Sequence, residues 1–254
     1  MQGRVVAAHG RQYVVETADG RRLPCFPRGK KSEIACGDRV EVSDSSSDQG
    51  VIDAILPRCS LLYRSNEVRQ KLIAANVGQV VIVVACEPAF SDDLVTRALI
   101  AAESEEIGVL IVLNKCDLTE QLDRARQQTR VFSDLGYTIL ELSARDHAED
   151  LRPWLQGKTS VLVGQSGMGK SSLIQLLVPD AEIAVQEISQ RLDSGKHTTT
   201  FTRLFEIDAR TTVIDSPGFQ EFGLYHLSEG MLERAFPEFA PELGQCRFYN
   251  CHHL

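Results

Sequence analysis

The stretch Gly164-Gln165-Ser166-Gly167-Met168-Gly169-Lys170-Ser171 decides the fold of this chain. It follows a short apolar run, Ser160 to Val163, and precedes a helix-like run, Ser172 to Val178. A strand, a glycine-rich loop with the spacing GxxxxGKS and a helix, in this order, are typical of a P-loop. Glycines let backbone N–H groups turn inward around an anion, and the helix N-terminus adds its partial positive charge. The sequence therefore predicts a phosphate-binding site.

The loop also supplies the side chains that phosphate chemistry requires. We expect Lys170 to neutralise β- and γ-phosphate oxygens and the Ser171 hydroxyl to ligate Mg²⁺. A glycine-rich turn without function is the alternative, but the lysine, the serine and both flanking elements argue against it. The candidate nucleotide-binding residues of this segment are Gly164, Gln165, Ser166, Gly167, Met168, Gly169, Lys170, Ser171 and Ser172.

A second segment indicates that the base of the nucleotide is guanine. Asn114-Lys115-Cys116-Asp117, the pattern NKxD, follows the apolar run Val109 to Leu113, at the strand end where open α/β sheets bind ligands. The Asp117 carboxylate accepts hydrogen bonds from guanine N1–H and the 2-amino group, and adenine offers neither donor. Ser143 and Ala144 follow the next predicted strand, and we expect a backbone N–H there to reach guanine O6. The candidates are Asn114, Lys115, Asp117, Ser143 and Ala144.

A threonine loop lies after the P-loop. Residues Gly195 to Thr200 read Gly-Lys-His-Thr-Thr-Thr, without the periodicity of a helix or strand. A threonine hydroxyl in such a loop completes Mg²⁺ coordination when a γ-phosphate is present. We assign this role to Thr199, with Thr198 and Thr200 as alternatives. Threonines of an ordinary β-hairpin are the other interpretation.

The last nucleotide motif is Asp215-Ser216-Pro217-Gly218, which follows the predicted strand Thr211 to Ile214. We expect Asp215 near Mg²⁺ and the Gly218 N–H near the γ-phosphate. Proteins of the Ras type carry these motifs in the order P-loop, threonine loop, DxxG, NKxD, SA, whereas this chain begins the same cycle at NKxD. Circular permutation is tolerated because the termini of a domain often lie close together. The sequence therefore predicts a circularly permuted α/β GTPase domain.

Residues 1–58 predict a small β-barrel. Four runs rich in Val and Ile read as strands, and Pro24 and Pro27-Arg28-Gly29 read as turn or loop signals between them. Four or five short strands fit a closed barrel, of which the OB-fold is the usual RNA-binding version. Pro57 to Ala75 follows as a connector. A basic cluster either meets RNA phosphates or forms a solvated loop of mixed charge, and the sequence leaves both open: Arg21, Arg22, Arg28, Lys30 and Lys31.

The end of the chain predicts a different kind of domain. Leu227 to Phe236 looks helical, and prolines at 237 and 241 break the helix. Cys246, Cys251 and His253 have the spacing C-x4-C-x-H, which resembles three of the four ligands of a structural zinc site. We expect residues 223–254 to be the start of a mostly α-helical zinc-binding domain, truncated at the end of this chain.

The composition limits the possible partners. A net charge of −8 argues against a broad nucleic-acid-binding surface, so any RNA contact must be local. Residues 1–58 carry nine Lys and Arg against eight Asp and Glu, so the acidic excess lies in the rest of the chain. No apolar run is long enough to span a bilayer, and no signal peptide is visible, so we expect a cytoplasmic protein without a membrane partner.

Barrel, permuted motifs and terminal Cys/His cluster together resemble the family of ribosome small-subunit-dependent GTPases A (RsgA, also called YjeQ). The resemblance covers essentially the whole chain and includes the run Glu221-Phe222-Gly223-Leu224. It implies three domains: an OB-fold at 1–58, a circularly permuted GTPase domain at 59–222 and a zinc-binding domain at 223–254. It also implies GTP hydrolysis in late maturation of the small (30S) ribosomal subunit, by a monomer that binds rRNA and is stimulated by the subunit. The cofactors implied are GTP or GDP, Mg²⁺ and one Zn²⁺, whose fourth ligand, a Cys, is expected beyond Leu254.

The catalytic assignment rests on elimination and on the resemblance. Ras-type enzymes orient the attacking water with a Gln after the DxxG glycine, and Phe219 stands there in this chain. His197 occupies the histidine position of the family and is our candidate, with Gln220 next and a plain surface histidine as the alternative. Lys170 and Thr199 complete the predicted catalytic set.

Two other functions fit parts of the pattern. One is an ATP-dependent P-loop enzyme, which Asp117 argues against. The other is an RNA-binding assembly module with a vestigial nucleotide site, which the intact Lys170, Ser171 and Asp215 argue against.

Overall fold

The computed structural model describes residues 1–29, 33–46, 48–65, 70–145, 148–181, 201–218 and 222–247. The first five strands form a closed barrel in the order β1-β2-β3-β5-β4, with β4 pairing back onto β1. The prediction of a small closed barrel is therefore confirmed. Its core is a separate apolar cluster that includes Val5, Val15, Val40 and Ile52. The strands are β1 (Gln2–His9), β2 (Gln12–Thr17), β3 (Arg22–Pro27), β4 (Arg39–Ser46) and β5 (Gln49–Ile55).

Strand β3 contains Pro24 and Pro27, which the sequence analysis interpreted as turn or loop signals. That interpretation was wrong. Pro24 lies opposite Val14 of β2, and Pro27 lies opposite Ile52 of β5. Proline removes a donor but keeps its carbonyl acceptor, so a strand tolerates it where no N–H is needed. Leu23 and Cys25 are buried in the barrel core, and that burial outweighs the local turn signal.

The segment predicted as a connector is a β-hairpin, so that interpretation was wrong. Strand β6 (Leu61–Ser65) pairs antiparallel with β7 (Gln70–Ala75). Leu62 and Ile73 are buried and join the core of the nucleotide domain, which gives the hairpin its apolar anchor.

The remaining strands form the nucleotide domain. Five of them are parallel, in the order β10-β9-β8-β11-β13, and β12 pairs antiparallel at the end. β8 is buried along its whole length, as a central parallel strand requires. The strands are β8 (Gln79–Ala85), β9 (Gly108–Asn114), β10 (Ile139–Glu141), β11 (Thr159–Val163), β12 (Thr202–Asp208) and β13 (Thr211–Asp215). Because parallel strands end at the same edge, the loops that follow β8, β9, β10, β11 and β13 all meet there.

Helices cover this sheet. The first begins where the Ser91 side chain accepts a hydrogen bond from the Leu94 N–H, with Asp92 and Asp93 in its first turn, a favourable arrangement at a helix N-terminus. The helices are α1 (Asp92–Ser104), α2 (Thr119–Asp134), a 3₁₀ helix (Ala148–Leu151), α3 (Arg152–Leu155) and α4 (Lys170–Leu177).

The barrel and the nucleotide domain share one eleven-stranded sheet. β12 pairs with β13 on one side and with β1 on the other, where Ala7 lies opposite Arg203. Arg4 of β1 also donates hydrogen bonds to the hydroxyls of Thr159 and Thr212. These threonines lie near the N-terminal ends of β11 and β13, whereas Arg203 lies opposite the C-terminal end of β13. The two domains are therefore joined by backbone and side-chain bonds.

After the nucleotide domain come α5 (Glu229–Arg234), capped by the Ser228 side chain, and a 3₁₀ helix at Pro237–Phe239. The predicted helix over Leu227 to Phe236 is thus present but two residues shorter at each end. Within the described ranges, every helix is too short or too polar to cross a bilayer.

Candidate nucleotide-binding site

The glycine-rich loop follows β11 and wraps against neighbouring backbone. Gly164, Gly167 and Gly169 all have positive φ, at 149°, 82° and 94°. A Cβ on Gly164 would lie 2.3 Å from the Val83 carbonyl oxygen, and one on Gly169 would lie 2.3 Å from Asn114 Nδ2. The glycines are therefore required both for backbone conformation and for close approach.

Lys170 is the first residue of α4 and is buried. Its Nζ donates hydrogen bonds to the carbonyl oxygens of Gly164 (2.8 Å) and Gln165 (2.9 Å), so the ammonium lies within the loop. Burial lowers the pKa of Lys170, and the charge of Asp215 opposes that shift. Ser171 and Ser172 follow in the first turn of α4 and are exposed. The loop therefore presents one cation and two hydroxyl groups at a helix N-terminus.

The NKxD segment holds the P-loop directly. Asn114 Nδ2 donates to the Met168 carbonyl oxygen at 2.9 Å. Lys115 Nζ donates to the carbonyl oxygens of Gly167 (2.8 Å) and Glu87 (2.7 Å). Two segments separated by more than fifty residues are thus locked together, which the sequence order alone leaves open.

The same segment also organises the loop after β10. Asn114 Oδ1 accepts hydrogen bonds from the backbone N–H of Lys115 (2.8 Å) and of Ala144 (3.0 Å). The Ser143 hydroxyl donates to Asp117 Oδ1 at 2.8 Å. The five residues predicted to recognise the base, at 114, 115, 117, 143 and 144, are therefore brought together.

A cavity of about 500 Å³ connects the two groups. Asp117 and Ala144 line one part of it, and Gly169 and Ser172 line another. This volume is within the range of small-molecule and cofactor sites. Further lining residues are Glu87, Pro88, Asn114, Lys115, Leu118, Ser143 and Arg145.

Asp215 ends β13, which is the parallel neighbour of β11. Its carboxylate is buried, and Oδ1 receives no hydrogen bond from the described residues. Burial raises the pKa of Asp215 to about 6, although the positive charges of Lys170 and Arg203 oppose the shift. A Cβ on Gly218 would lie 3.0 Å from the Ser166 N, so this segment passes directly along the P-loop. An unsatisfied carboxylate oxygen beside a phosphate-type loop fits a hard cation such as Mg²⁺.

Sequence reasoning missed two residues that contact this site, Ser91 and Arg145. Gln165 Oε1 accepts a hydrogen bond from the Ser91 N–H at 2.8 Å, which ties the P-loop to the start of α1. The Arg145 guanidinium lies 3.6 Å from Asp117 Oδ2. Arg145 follows Ser143 and Ala144 directly, so its position in the motif was a usable signal. Nothing in the local sequence marks Ser91.

Several predicted residues lie outside the described ranges. They are His197, Thr198, Thr199, Thr200, Phe219, Gln220, Cys251 and His253. Of the three predicted zinc ligands only Cys246 is described, and it is exposed. The described residues contain no group of three or more His, Cys, Asp or Glu side chains placed to hold a metal ion.

Comparison with known proteins agrees with the site. The family model described as RsgA GTPase matches residues 55–225. A protein of Burkholderia pseudomallei named small ribosomal subunit biogenesis GTPase RsgA is 59% identical over 258 residues, covering 100% of this chain and 82% of that relative. A Ralstonia pickettii protein of the same name is 56% identical, covering 99% and 82%.

Two solved structures are similar over the whole chain. YjeQ from Thermotoga maritima has a TM-score of 0.70 at 32% identity and is covered to 86% of its length. YloQ, described as a circularly permuted GTPase, has a TM-score of 0.65 at 28% identity and is covered to 83%.

Proposed function

This chain belongs to the RsgA GTPase family and is a GTP hydrolase, and we propose that it acts in maturation of the small ribosomal subunit. The observation that carries the proposal is the single cavity that Asp117 and the P-loop share. One end carries an acceptor for guanine, and the other is lined by Gly169 and Ser172, which flank Lys170 at the N-terminus of α4. The subunit role comes from the names of the relatives, which match 100% and 99% of this chain.

Each end of the cavity has a distinct part in binding. At the base end, Asp117 accepts hydrogen bonds from guanine, while a backbone N–H of the loop that contains Ser143 and Ala144 donates to O6. At the phosphate end, Lys170 and the loop N–H groups neutralise the β- and γ-phosphates. Ser171 and Asp215 hold Mg²⁺, with Thr199 as the third predicted ligand. Bound Mg²⁺ supplies further charge neutralisation of the phosphate oxygens.

Hydrolysis then depends on a positioned water molecule. His197 is our candidate for orienting it and Gln220 the next. Because these residues belong to the threonine motif and to the segment directly after DxPG in the sequence, we propose that contact with the small subunit positions them and accelerates turnover. Replacing His197 with Ala should remove the stimulation by subunits and preserve GDP affinity.

The barrel is the proposed rRNA-binding part. Arg22 forms an ion pair with Glu16 (2.5 Å) and Arg28 with Asp53 (2.6 Å), so these two arginines are largely neutralised. Phe26, between them on β3, exposes 38% of its surface. An exposed aromatic ring on a barrel strand stacks on unpaired bases with little dependence on sequence. Phe26→Ala should weaken subunit binding and leave GDP binding unchanged.

Zinc binding by the C-terminal segment stays a prediction. Cys246, Cys251 and His253 would supply three thiolate or imidazole ligands. Metal analysis of the purified protein, with and without Cys246→Ser, tests this prediction.

Because the proposed partner is the small ribosomal subunit, we propose that the protein acts in the cytoplasm and as a monomer.

Base specificity is the sharpest test of the site. In Asp117→Asn, an amide replaces the carboxylate and offers an N–H donor to the 2-oxo group of xanthine. We expect GDP affinity to fall at least about 100-fold while xanthosine diphosphate binding improves. Asp123→Asn, which changes an exposed carboxylate on α2, is the matched control and should bind GDP normally.

Titration of the parent protein with GDP, ADP and xanthosine diphosphate separates the candidate functions. Tighter binding of ADP than of GDP would support the ATP-dependent enzyme instead. Nucleotide binding without hydrolysis, with or without small subunits, would support the vestigial site.

A further inference from the structure

Arg203 is a buried arginine at the junction of the two domains. It lies in β12, directly opposite Asp215 of β13 in the antiparallel ladder. Directly opposed residues project from the same face of a sheet with their Cβ atoms about 5 Å apart. Arg203 is 6% exposed and Asp215 is 8% exposed. A buried cation therefore stands beside the carboxylate that we assign to magnesium.

The barrel holds Arg203 in place from the other side. Its guanidinium carbon lies 4.9 Å from the centroid of the Phe201 ring, a cation–π distance. The Phe201 ring in turn packs edge-on against His9 of β1, with 4.1 Å between the ring centroids. The backbone of Arg203 also lies opposite Ala7 of β1. The position of this arginine is thus set by both domains.

Two cations act on the Asp215 carboxylate. Lys170 and Arg203 both lower its pKa, against the larger effect of burial. The Lys170 ammonium is already bonded to two P-loop carbonyl oxygens. If Arg203 were removed, the attraction between Asp215 and Lys170 would no longer be balanced, because charges interact strongly at low dielectric. The carboxylate would then be left with the attraction of Lys170 alone, which favours a different orientation of the side chain.

We propose that Arg203 is a positioning residue that holds Asp215 in the orientation required for magnesium, and that the barrel supports it through Phe201 and His9. The inference rests on the proposed function of Asp215. It assigns to β12 a structural link by which the barrel influences the nucleotide site.

The test is the Mg²⁺ dependence of nucleotide binding. A fluorescent GTP analogue that resists hydrolysis is titrated onto the full chain at increasing Mg²⁺ and, separately, in EDTA. For Arg203→Ala we expect the Mg²⁺ concentration at half-saturation to rise about 10-fold or more, as for other residues that orient metal ligands. Affinity in EDTA should change much less. Arg203→Lys keeps the charge without the planar group and should give a smaller rise.

Arg4→Ala is the matched control. Arg4 is also an arginine of the domain junction, but it contacts Thr159 and Thr212 at the far end of the strands. It should lower the melting temperature and leave the Mg²⁺ requirement unchanged. Phe201→Leu, which keeps an apolar side chain but removes the ring over Arg203, should raise the requirement about 3-fold and serves as the second test if Arg203→Ala does not fold.

The outcomes are distinct. An unchanged or lower Mg²⁺ requirement in folded Arg203→Ala, or in Phe201→Leu where that variant replaces it, would overturn the inference. A parent protein whose nucleotide affinity does not depend on Mg²⁺ would instead overturn the proposed role of Asp215 itself.

Discussion

The base end and the phosphate end of the cavity are built in different ways. At the base end the protein satisfies its own polar groups. The Asn114 side chain donates to Met168 and accepts from Lys115 and Ala144, with distances of 2.8 to 3.0 Å. This end therefore has its shape before a nucleotide arrives.

At the phosphate end, by contrast, a buried polar atom lacks a hydrogen-bond partner within the described residues. Asp215 Oδ1 is buried and receives no hydrogen bond from the described part of the chain. Burial disfavours the charge on Lys170, whose pKa is lowered. We expect nucleotide and metal to supply the missing partner of Asp215 there, so binding should stabilise this end most. The comparison separates a preformed recognition half from a half that the ligand completes.

The largest effect should come from the phosphate end. Lys170→Ala removes the ammonium that faces the phosphates, and we expect GDP affinity to fall about 100-fold, since hydrogen bonds to charged groups are the strong ones. Because the buried charge is also removed, the unfolding free energy without nucleotide should change little. Isothermal calorimetry and chemical denaturation measure the two quantities.

Lys158→Ala is the control for that variant. The Lys158 ammonium donates to the Trp154 carbonyl oxygen before the start of β11, away from the P-loop, so this variant should bind GDP as the parent does. Equal losses of affinity in both lysine variants would contradict a special role of Lys170.

At the base end we expect GDP affinity and the free energy of unfolding to fall together. Asn114→Ala leaves the Met168 carbonyl and the Ala144 N–H without their partner, and we expect about 2 kcal/mol less unfolding free energy and about 30-fold weaker GDP binding. Gln128→Ala removes a side chain that bonds Phe90 and Asp92 elsewhere in the domain. Gln128→Ala should lower the free energy of unfolding and leave GDP affinity unchanged. Loss of affinity without loss of stability in Asn114→Ala would remove the distinction between the two ends.

A glycine pair tests the close approach between the ends. Gly169 and Gly136 have nearly the same φ, 94° and 93°. A Cβ would meet Asn114 Nδ2 at Gly169 and nothing within 4 Å at Gly136. Gly136→Ala should lose about 1 kcal/mol of stability from backbone strain, and Gly169→Ala should lose more because its Cβ also meets Asn114. Only Gly169→Ala should also weaken GDP binding, by about 10-fold. Equal GDP affinities of the two variants, measured where denaturation shows both to be folded, would mean that the close contact of Gly169 with Asn114 is unimportant for binding.

The motifs and most strands were predictable because their signals are local. The P-loop, NKxD and DxPG segments each combine an apolar strand with a short polar pattern, and the parallel sheet brings them to one edge. Asp117 of the NKxD segment lines the same cavity as Gly169 and Ser172 of the P-loop segment. The apolar run Val109 to Leu113 in β9 was identified for the same reason, since most of this strand is buried and its residues are continuously apolar.

The missed features depend on partners distant in sequence. The pairing of β12 with β1 joins residues almost two hundred positions apart, and neither strand shows its partner locally. Strand β3 carries two prolines, and only its burial between β2 and β5 makes it a strand. The hairpin β6–β7 was hidden by its charged residues, because only part of each strand is buried.

The smallest effect should appear just after the phosphate end, where the chain from Gly223 to His226 packs on β6. Ser65 Oγ lies 2.8 Å from His226 Nδ1, and the Ser65 N–H donates to the Gly223 carbonyl. Burial lowers the pKa of His226 below its usual 6.5. The unfolded chain therefore binds a proton at higher pH than the folded one, so stability is lost as pH falls through 6.5 toward the folded value.

His226→Gln should flatten that part of the pH dependence. Its unfolding free energy should change less between pH 7 and pH 5 than that of the parent, measured by denaturation at each pH. His9, whose pKa is also lowered by burial, titrates with the same sign, so part of the dependence should persist in the variant. A pH profile identical to that of the parent would mean that the contact between β6 and the segment after Gly218 does not depend on the charge of His226. Binding of GDP should be unchanged in either case, because this contact lies outside both ends of the cavity.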